Sequence, residues 1–370
     1  MTNSKTTTLL ILVAAPVAVA VILYRLTEFD PAPLPDYVLS RSPPILPPKL
    51  YDRFLEFAER IGEGLLIGPE DLAYDAETGF IYTGCSDGWI KRLYVADTAD
   101  DKEKAKVENW AFTGGRPLGL AFGPDKQLIV ADAFKGLLRV SGEGTTVELL
   151  TDEAEGLKFK LTDGVDVGRD GVIYFTDASY KYSLKVNTEE VLEGRPHGRL
   201  MSFDPSTNKT QVLARNLYFA NGVALSPDQD YLIFSETVSR RCSKYHIQGE
   251  KRGSIETFID NLPGYPDNIR YDGEGRFWIA LARGKTASWD AVVRYPILRK
   301  TMWLLIKVMK LPDLRSHGGM MAVNLEGEAI ALYSEPGMHL VTGGIKIGNQ
   351  LYIGYLTNTY VTRVNLNHLV

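Results

Sequence analysis

From about residue 60 onward, apolar and polar positions alternate in short runs separated by turns rich in Gly and Asp, and one phrase recurs. It opens at Glu70 (EDLAYDAETGFIYTGCSDGWIKRL), Leu118 (LGLAFGPDKQLIVADAFKGLLRV) and Asp163 (DGVDVGRDGVIYFTDASYKY). It opens again at Asn221 (NGVALSPDQDYLIFSETVSRRCSKY), Asp267 (DNIRYDGEGRFWIALARG) and Gly343 (GGIKIGNQLYIGYLTNTYVTRV). Each phrase reads as an alternating strand, a polar turn and a second strand ending near a polar residue. Period-two alternation predicts half-buried strands, and the turn residues predict hairpins. The openings lie roughly 45–60 residues apart, with one longer interval before the last. A several-stranded unit repeated at that period is the mark of a β-propeller, so the expected fold is all-β with six blades.

Two stretches break the pattern. Residues 6–24, TTTLLILVAAPVAVAVILY, carry no charge and approach the length of a membrane-spanning helix. Residues 1–24 therefore read as an uncleaved signal anchor. A cleaved signal peptide is the alternative, since Ala18-Val19-Ala20 imitates a cleavage site. Residues 25–60 follow as a proline-rich linker with a short helix, and the propeller is expected over 61–370. The second stretch, 291–311 (AVVRYPILRKTMWLLIKVMKL), carries Arg294, Arg299, Lys300, Lys307 and Lys310 and no acid. It predicts a basic amphipathic helix inserted before the last blade, lying on a membrane surface, serving as a lid over one mouth of the propeller, or both.

Composition narrows the function. Forty-one basic against 46 acidic residues give a formal charge of −5, which argues against nucleic acid as a partner. Gly and Pro together make 53 of 370 residues, in keeping with many short strands and turns. Two cysteines, Cys85 and Cys242, exclude a disulfide scaffold and a multi-cysteine zinc site. They fall in the first and fourth blades, too far apart to bridge, so both are expected free. Asn208-Lys209-Thr210 is a glycosylation acceptor triplet in a turn-like segment. Oligomeric state is not readable from the chain.

The candidate chemistry lies in the column of openings. Equivalent positions on the innermost strands converge at one mouth of a propeller's bore. Of Glu70, Leu118, Asp163, Asn221, Asp267 and Gly343, four carry side-chain oxygen and none is His or Cys. An all-oxygen cage with three carboxylates suits a hard cation, Ca²⁺ better than Mg²⁺ because Ca²⁺ tolerates irregular geometry. Three carboxylates so close repel one another, and Ca²⁺ brings their formal charge to −1. Asp71 and Asn268 are placed to support or extend the ligand set. The competing explanation is that Asp and Asn start strands as turn residues. His317 and His339 are weaker candidates near the last blade, and Thr176-Asp177 and Ser235-Glu236 read as structural strand ends.

The phrases IGPEDLAYD (67–75), GRPLGLAFGPD (115–125), ADAFKGLLRV (131–140), DGVIYFTDAS (170–179), FANGVALSPD (219–228) and GYPDNIR (264–270) make the chain resemble the strictosidine-synthase-like and adipocyte plasma-membrane-associated proteins. These stand within the wider group of gluconolactonases and paraoxonases. The resemblance implies a six-bladed propeller, entry into the secretory pathway and often a membrane anchor. It places the propeller in the lumen, at the endoplasmic reticulum membrane or vacuole. Calcium-binding relatives use Glu, Asn, Asn and Asp where this chain has Glu70, Asp163, Asn221 and Asp267. Strictosidine synthase itself uses a last-blade glutamate, which aligns with Gly343, and the paraoxonases use a second-blade histidine, which aligns with Leu118. The leading expectation is thus a Ca²⁺-dependent hydrolase of a small ester or lactone, with Asp267 as catalytic residue. The alternatives are an amine–aldehyde condensing lyase and a non-catalytic, membrane-tethered binding propeller.

Overall fold

The computed structural model describes residues 14–19, 21–23, 25–26, 29–39, 43–94, 106–141, 143–309 and 316–369. Six antiparallel sheets carry the repeated phrase. The first comprises Leu72–Asp75, Phe80–Gly84, Trp89–Tyr94 and Val107–Phe112. The second comprises Pro117–Phe122, Leu128–Asp132, Gly136–Ser141 and Thr146–Thr151. The third comprises Thr162–Val167, Ile173–Asp177, Gly198–Asp204 and Lys209–Leu217. The fourth comprises Ala220–Leu225, Tyr231–Glu236, Arg241–His246 and Ile255–Ile259. The fifth comprises Gly264–Tyr271, Arg276–Gly284, Gly319–Asn324 and Ala329–Tyr333, and the sixth begins with Val341–Ile347, Gln350–Tyr355 and Val361–Asn365. The first strands of successive sheets neighbour one another and the ring closes from sixth to first. The fold is the expected six-bladed β-propeller, with those first strands around the bore.

The apolar clusters lie between blades. Tyr82, Ile90, Leu120 and Val130 join the first to the second; Ile129, Leu137, Val165 and Phe175 join the second to the third. Ile129 and Val130 thus point to different clusters from adjacent positions of one strand. This is why LIVAD is buried throughout rather than half-buried, as alternation alone predicts.

Two strands come from the stretch read as linker. Ala58–Ile61 pairs antiparallel with Val361–Asn365, Ile61 opposite Val361, and completes the sixth blade. Lys49–Tyr51 runs parallel along the outer edge of the fifth, Lys49 opposite Ala331. AERI and KLY are too short and too polar to show alternation in sequence.

The insert lies inside the fifth blade, between Arg276–Gly284 and Gly319–Asn324, and this lengthens the last interval between openings. It forms two helices, Ala287–Arg294 and Pro296–Val308, rather than one. The Thr286 hydroxyl accepts the Trp289 N–H at 3.2 Å to cap the first. Pro296, lacking an N–H, starts the second. Arg299, expected on the basic surface, is instead fully buried. It donates to Leu192 O and Glu193 O (3.2 and 3.0 Å), the open carbonyls of the Asn187–Glu193 helix, and to Ala32 O. Phe29 stacks on Trp303 with centroids 4.9 Å apart. Leu34, Val38 and Val293 pack on Leu118, Leu161, Tyr218 and Phe219, which begin or precede inner strands. Segment 29–39, the Asn187–Glu193 helix and the insert therefore roof the end of the bore where inner strands start. Lys310 lies outside the described residues.

Helical backbone appears at 14–19, 21–23 and 25–26, while 1–13, 20 and 24 of the expected anchor lie outside the described residues. Among the described residues no helix is long and apolar enough to cross a membrane. Cys85 and Cys242 are buried and free. Asn208 sits exposed in the hairpin between Gly198–Asp204 and Lys209–Leu217, at the end of the propeller opposite the roof.

Candidate metal centre

The side chains of the opening column are aimed by a recurrent bulge. In the second to sixth blades the inner strand gains one residue over its partner, between Pro117 and Leu120, Thr162 and Val165, Ala220 and Val223, Pro266 and Ile269, and Val341 and Gly343. A bulge bends the strand and re-aims a side chain, here toward the roofed mouth. Within each bulge the second position approaches the next blade closely. A Cβ on Gly119 would meet Asp163 O at 2.4 Å, one on Gly164 would meet Asn221 O at 2.6 Å, and one on Gly222 would meet Asp267 O at 2.7 Å. Glycine at these positions lets the ring close.

The same register corrects one member of the column. A Cβ on Gly343 would meet Glu70 O at 2.9 Å and Asp71 Cα at 3.2 Å, the contacts that mark the second position. Thr342, not Gly343, therefore shares the column with Glu70. Alternation cannot count the bulged residue, so the sequence reading fell one place late. Leu118 remains the second blade's member and faces the roof.

Glu70, Asp163 and Asp267 come together as expected: one carboxylate oxygen of each lies within 4.8 Å of the others. They are 2%, 4% and 8% exposed, and Asn221 beside them is 3%. Asn268 donates from Nδ2 to Glu70 Oε1 at 2.9 Å, so its place is to orient that carboxylate. Asn221 donates to Asp267, leaving its own Oδ1 without a donor. Glu70 Oε2 and Asp71 Oδ1 are likewise buried and unpartnered. Buried polar atoms are normally satisfied. Three orphan oxygens, one of them on the triad itself, fit a hard cation, and the donor set of Glu70, Asp163, Asn221 and Asp267 suits Ca²⁺.

The electrostatics agree. Burial, then the charges of Asp267, Asp163 and Asp71, hold the Glu70 carboxyl well above the usual carboxylate range. Burial and then Asp71 push Asp163 up to about 8. Burial and then Asp163 hold Asp267 well above its ordinary value, against the Asn221 hydrogen bond. Desolvated like charges raise one another's pKa until an opposite charge arrives.

Several residues support the cage in roles the sequence did not assign them. Hydroxyls of Thr176, Ser235 and Thr342 donate to the backbone oxygens of Asn221 (2.6 Å), Asp267 (2.6 Å) and Glu70 (2.9 Å) in the following blade. Thr176 and Ser235, read as plain strand ends, thus fix the ligand-bearing backbone. Their neighbours Asp177 and Glu236 accept the N–H groups of Leu161 (3.0 Å) and Tyr218 (3.2 Å) and pin the entry to their own blade. Arg270, partly buried in the bore, donates to Asp71 and to the backbone oxygens of Leu120 and Val165. It ties four blades together and neutralises Asp71. Arg116 donates to Gly68 O at 2.8 Å behind Glu70. Long side chains arriving from neighbouring blades leave no local signature in sequence. His317 is exposed and His339 faces Ser316 O at 3.3 Å, so neither joins the carboxylates.

Comparison with known proteins follows the same lines. The strictosidine synthase family model matches residues 163–250, and that for the strictosidine synthase-like N-terminal region matches 54–93. Strictosidine synthase-like 6 from Arabidopsis thaliana is 51% identical over 354 residues, covering 96% of this chain and 94% of that protein. Adipocyte plasma membrane-associated protein from Bos taurus is 31% identical over 345 residues, covering 84% and 79%. A gluconolactonase structure from Xanthomonas campestris superposes with a TM-score of 0.60 at 15% identity, covering 91% of this chain and 98% of that one. The calcium-binding protein regucalcin from Agrobacterium tumefaciens superposes with a TM-score of 0.58 at 16% identity, covering 85% and 95%. At such identities these two share the fold. With its sequence matched at half its positions over nearly its whole length, the chain belongs to the strictosidine synthase-like family.

Proposed function

We propose that this propeller is a Ca²⁺-dependent hydrolase of a small ester or lactone, acting in the secretory pathway. The observation that carries the reading is the buried carboxylate triad with its orphan oxygens. Glu70, Asp163, Asn221 and Asp267 would hold the ion, which when bound supplies Lewis-acid polarisation of a carbonyl. Asp267 is the most exposed of the three carboxylates, at 8%. It takes a proton from the attacking water as the new C–O bond forms. The ester C–O bond then breaks, and the proton passes to the leaving alkoxide. Leu118, Tyr218 and Phe219 belong to the buried apolar cluster beneath the roof, so a substrate admitted at this mouth would meet apolar surface. The regucalcin and gluconolactonase likenesses support the reading at the level of fold.

The condensing-lyase reading has less support. Thr342 and Gly343 offer the sixth blade no titrating group near the triad. An ester and lactone panel with and without EGTA tests the proposal. Calcium-dependent turnover that disappears in Asp267→Ala supports hydrolysis. Amine–aldehyde coupling that persists in EGTA supports the lyase. Calcium binding without turnover supports a binding propeller.

A further inference from the structure

The outer face of the roof is mostly apolar. On the Pro296–Val308 helix, Arg299 and Trp303 face inward. The opposite face, at helical spacing, carries Ile297, Thr301, Leu305 and Val308; the three apolar members are 69%, 39% and 81% exposed, and the Thr301 hydroxyl is taken up by Ile297 O at 2.9 Å. A helix of a water-soluble surface shows polar residues there. Arg294 and Lys300 flank it, Lys307 pairs with Glu189 at 2.6 Å, and residues 291–309 contain no acid. Phe134 and Val186, on loops at the same end of the propeller, extend the exposed apolar rim.

The chain itself says what covers this face. Phe29 is stacked on Trp303, and Ala32 is gripped from both sides by Arg299 and by its own N–H to Glu193 O at 2.9 Å. Tyr24, the end of the charge-free stretch 6–24, is five residues from Phe29. That connection reaches at most about 18 Å, comparable with the length of the helix. A bilayer that takes up residues 6–24 must therefore lie against the roof.

We propose that the Pro296–Val308 helix lies in the interface of a phospholipid bilayer, its Ile297, Leu305 and Val308 face in the acyl region and Arg294 and Lys300 at the headgroups. The roofed mouth above Glu70, Asp163 and Asp267 then faces the membrane surface, and Asn208 lies at the far end of the propeller.

The test uses the full chain in phosphatidylcholine–phosphatidylserine vesicles. Cys85 and Cys242 are buried, and burial pushes the Cys85 thiol up to about 12, so a cysteine introduced on the surface takes a thiol-reactive fluorophore selectively. One label is placed at Val308→Cys. A control is placed at Glu250→Cys, on an exposed hairpin at the far end. Expected is a blue shift and several-fold stronger quenching by brominated acyl chains at position 308 than at 250. Lys300→Glu combined with Arg294→Glu weakens the quenching in phosphatidylserine-containing vesicles. Equal, water-like emission at both positions in vesicle-bound protein overturns the proposal. So does a blue shift at 308 that is already complete before vesicles are added, which would mean that protein covers the face. Neither outcome depends on hydrolysis.

Discussion

Asp163 puts a full negative charge where an amide oxygen would also serve as ligand, and the consequences run in opposite directions for the empty and the loaded cage. Without a cation, and above about pH 8 where its proton is lost, its buried carboxylate faces Glu70 and Asp267 within 4.8 Å, a repulsion that burial prevents water from screening. With a cation, the same charge attracts. Asp163→Asn is therefore expected to raise the melting temperature of the metal-free protein by a few degrees at pH 9, where Asp163 is ionised, and to weaken Ca²⁺ binding by roughly tenfold, the order of one charge removed from a partly desolvated site. Paired calorimetric melts and titrations check both signs, and a drop in both quantities contradicts the account. The pH dependence has a definite direction too. The folded carboxyl of Asp163 keeps its proton up to about 8, far above an unfolded aspartate. Between about pH 4 and 8 the folded chain thus binds more protons than the unfolded chain, and stability falls as pH rises through that window. Melting of EDTA-treated protein is expected at lower temperature at pH 8 than at pH 5. Saturating Ca²⁺ removes the difference, because the ion takes the place of the protons.

At the scale of elements, strand identity and blade number were legible because a buried hairpin must alternate and its turns need Gly and Asp. The bulge was not, because an extra residue in one strand leaves the apolar pattern intact on either side of it. Hence Glu70, Asp163, Asn221 and Asp267 could be read as one column, while the sixth member fell on Gly343 instead of Thr342. The supporting groups were hidden for a different reason: Thr176, Ser235, Arg116 and Arg270 act across blade boundaries, where sequence separation carries no periodic signal. The insert shows the same limit. Its basic composition was plain, but burial of Arg299 depends on the open C-terminal carbonyls of a helix about a hundred residues earlier. That contact yields a prediction for the roof alone. Arg299→Met leaves Leu192 O and Ala32 O without the guanidinium donor, while Glu193 O keeps only the Ala32 N–H, at a cost of about 2–3 kcal/mol for a charge-assisted group. Hydrogen exchange is expected to quicken over 187–194 and 287–308 with the blades unchanged. Exchange that quickens equally in strands such as Leu128–Asp132 shows instead that roof and ring unfold as one unit.

For the whole molecule, a ring of blades is only as strong as its seam, and here the seam is made by a strand that composition assigned to the linker. Ala58–Ile61 covers the outer edge of Val361–Asn365, and Ile61 joins Leu66, Leu72 and Tyr352 in the cluster between sixth and first blades. Without that strand the sixth blade ends in an exposed row of unpaired backbone groups, and the cluster beside it opens to water. Each remaining inter-blade cluster is intact locally, but the ligands of the cage come from the first, third, fourth and fifth blades and need the whole circle to keep their separation. Loss of the seam should therefore abolish Ca²⁺ binding together with stability, although no ligand is touched. Two shortened chains separate the seam from the rest of the N-terminal segment. A chain beginning at Asp52 loses the roof strap and the Lys49–Tyr51 edge strand but keeps the seam, and is expected to melt in a single transition and to bind Ca²⁺. A chain beginning at Glu63 also loses the seam, and is expected to melt well below the first, over a broad range, and to aggregate through its open edge. A synthetic peptide of residues 52–63 added during refolding should restore the single transition and the Ca²⁺ response. If the chain from Glu63 melts with the chain from Asp52, the inter-blade clusters alone hold the circle, and the cage owes its geometry to them rather than to closure.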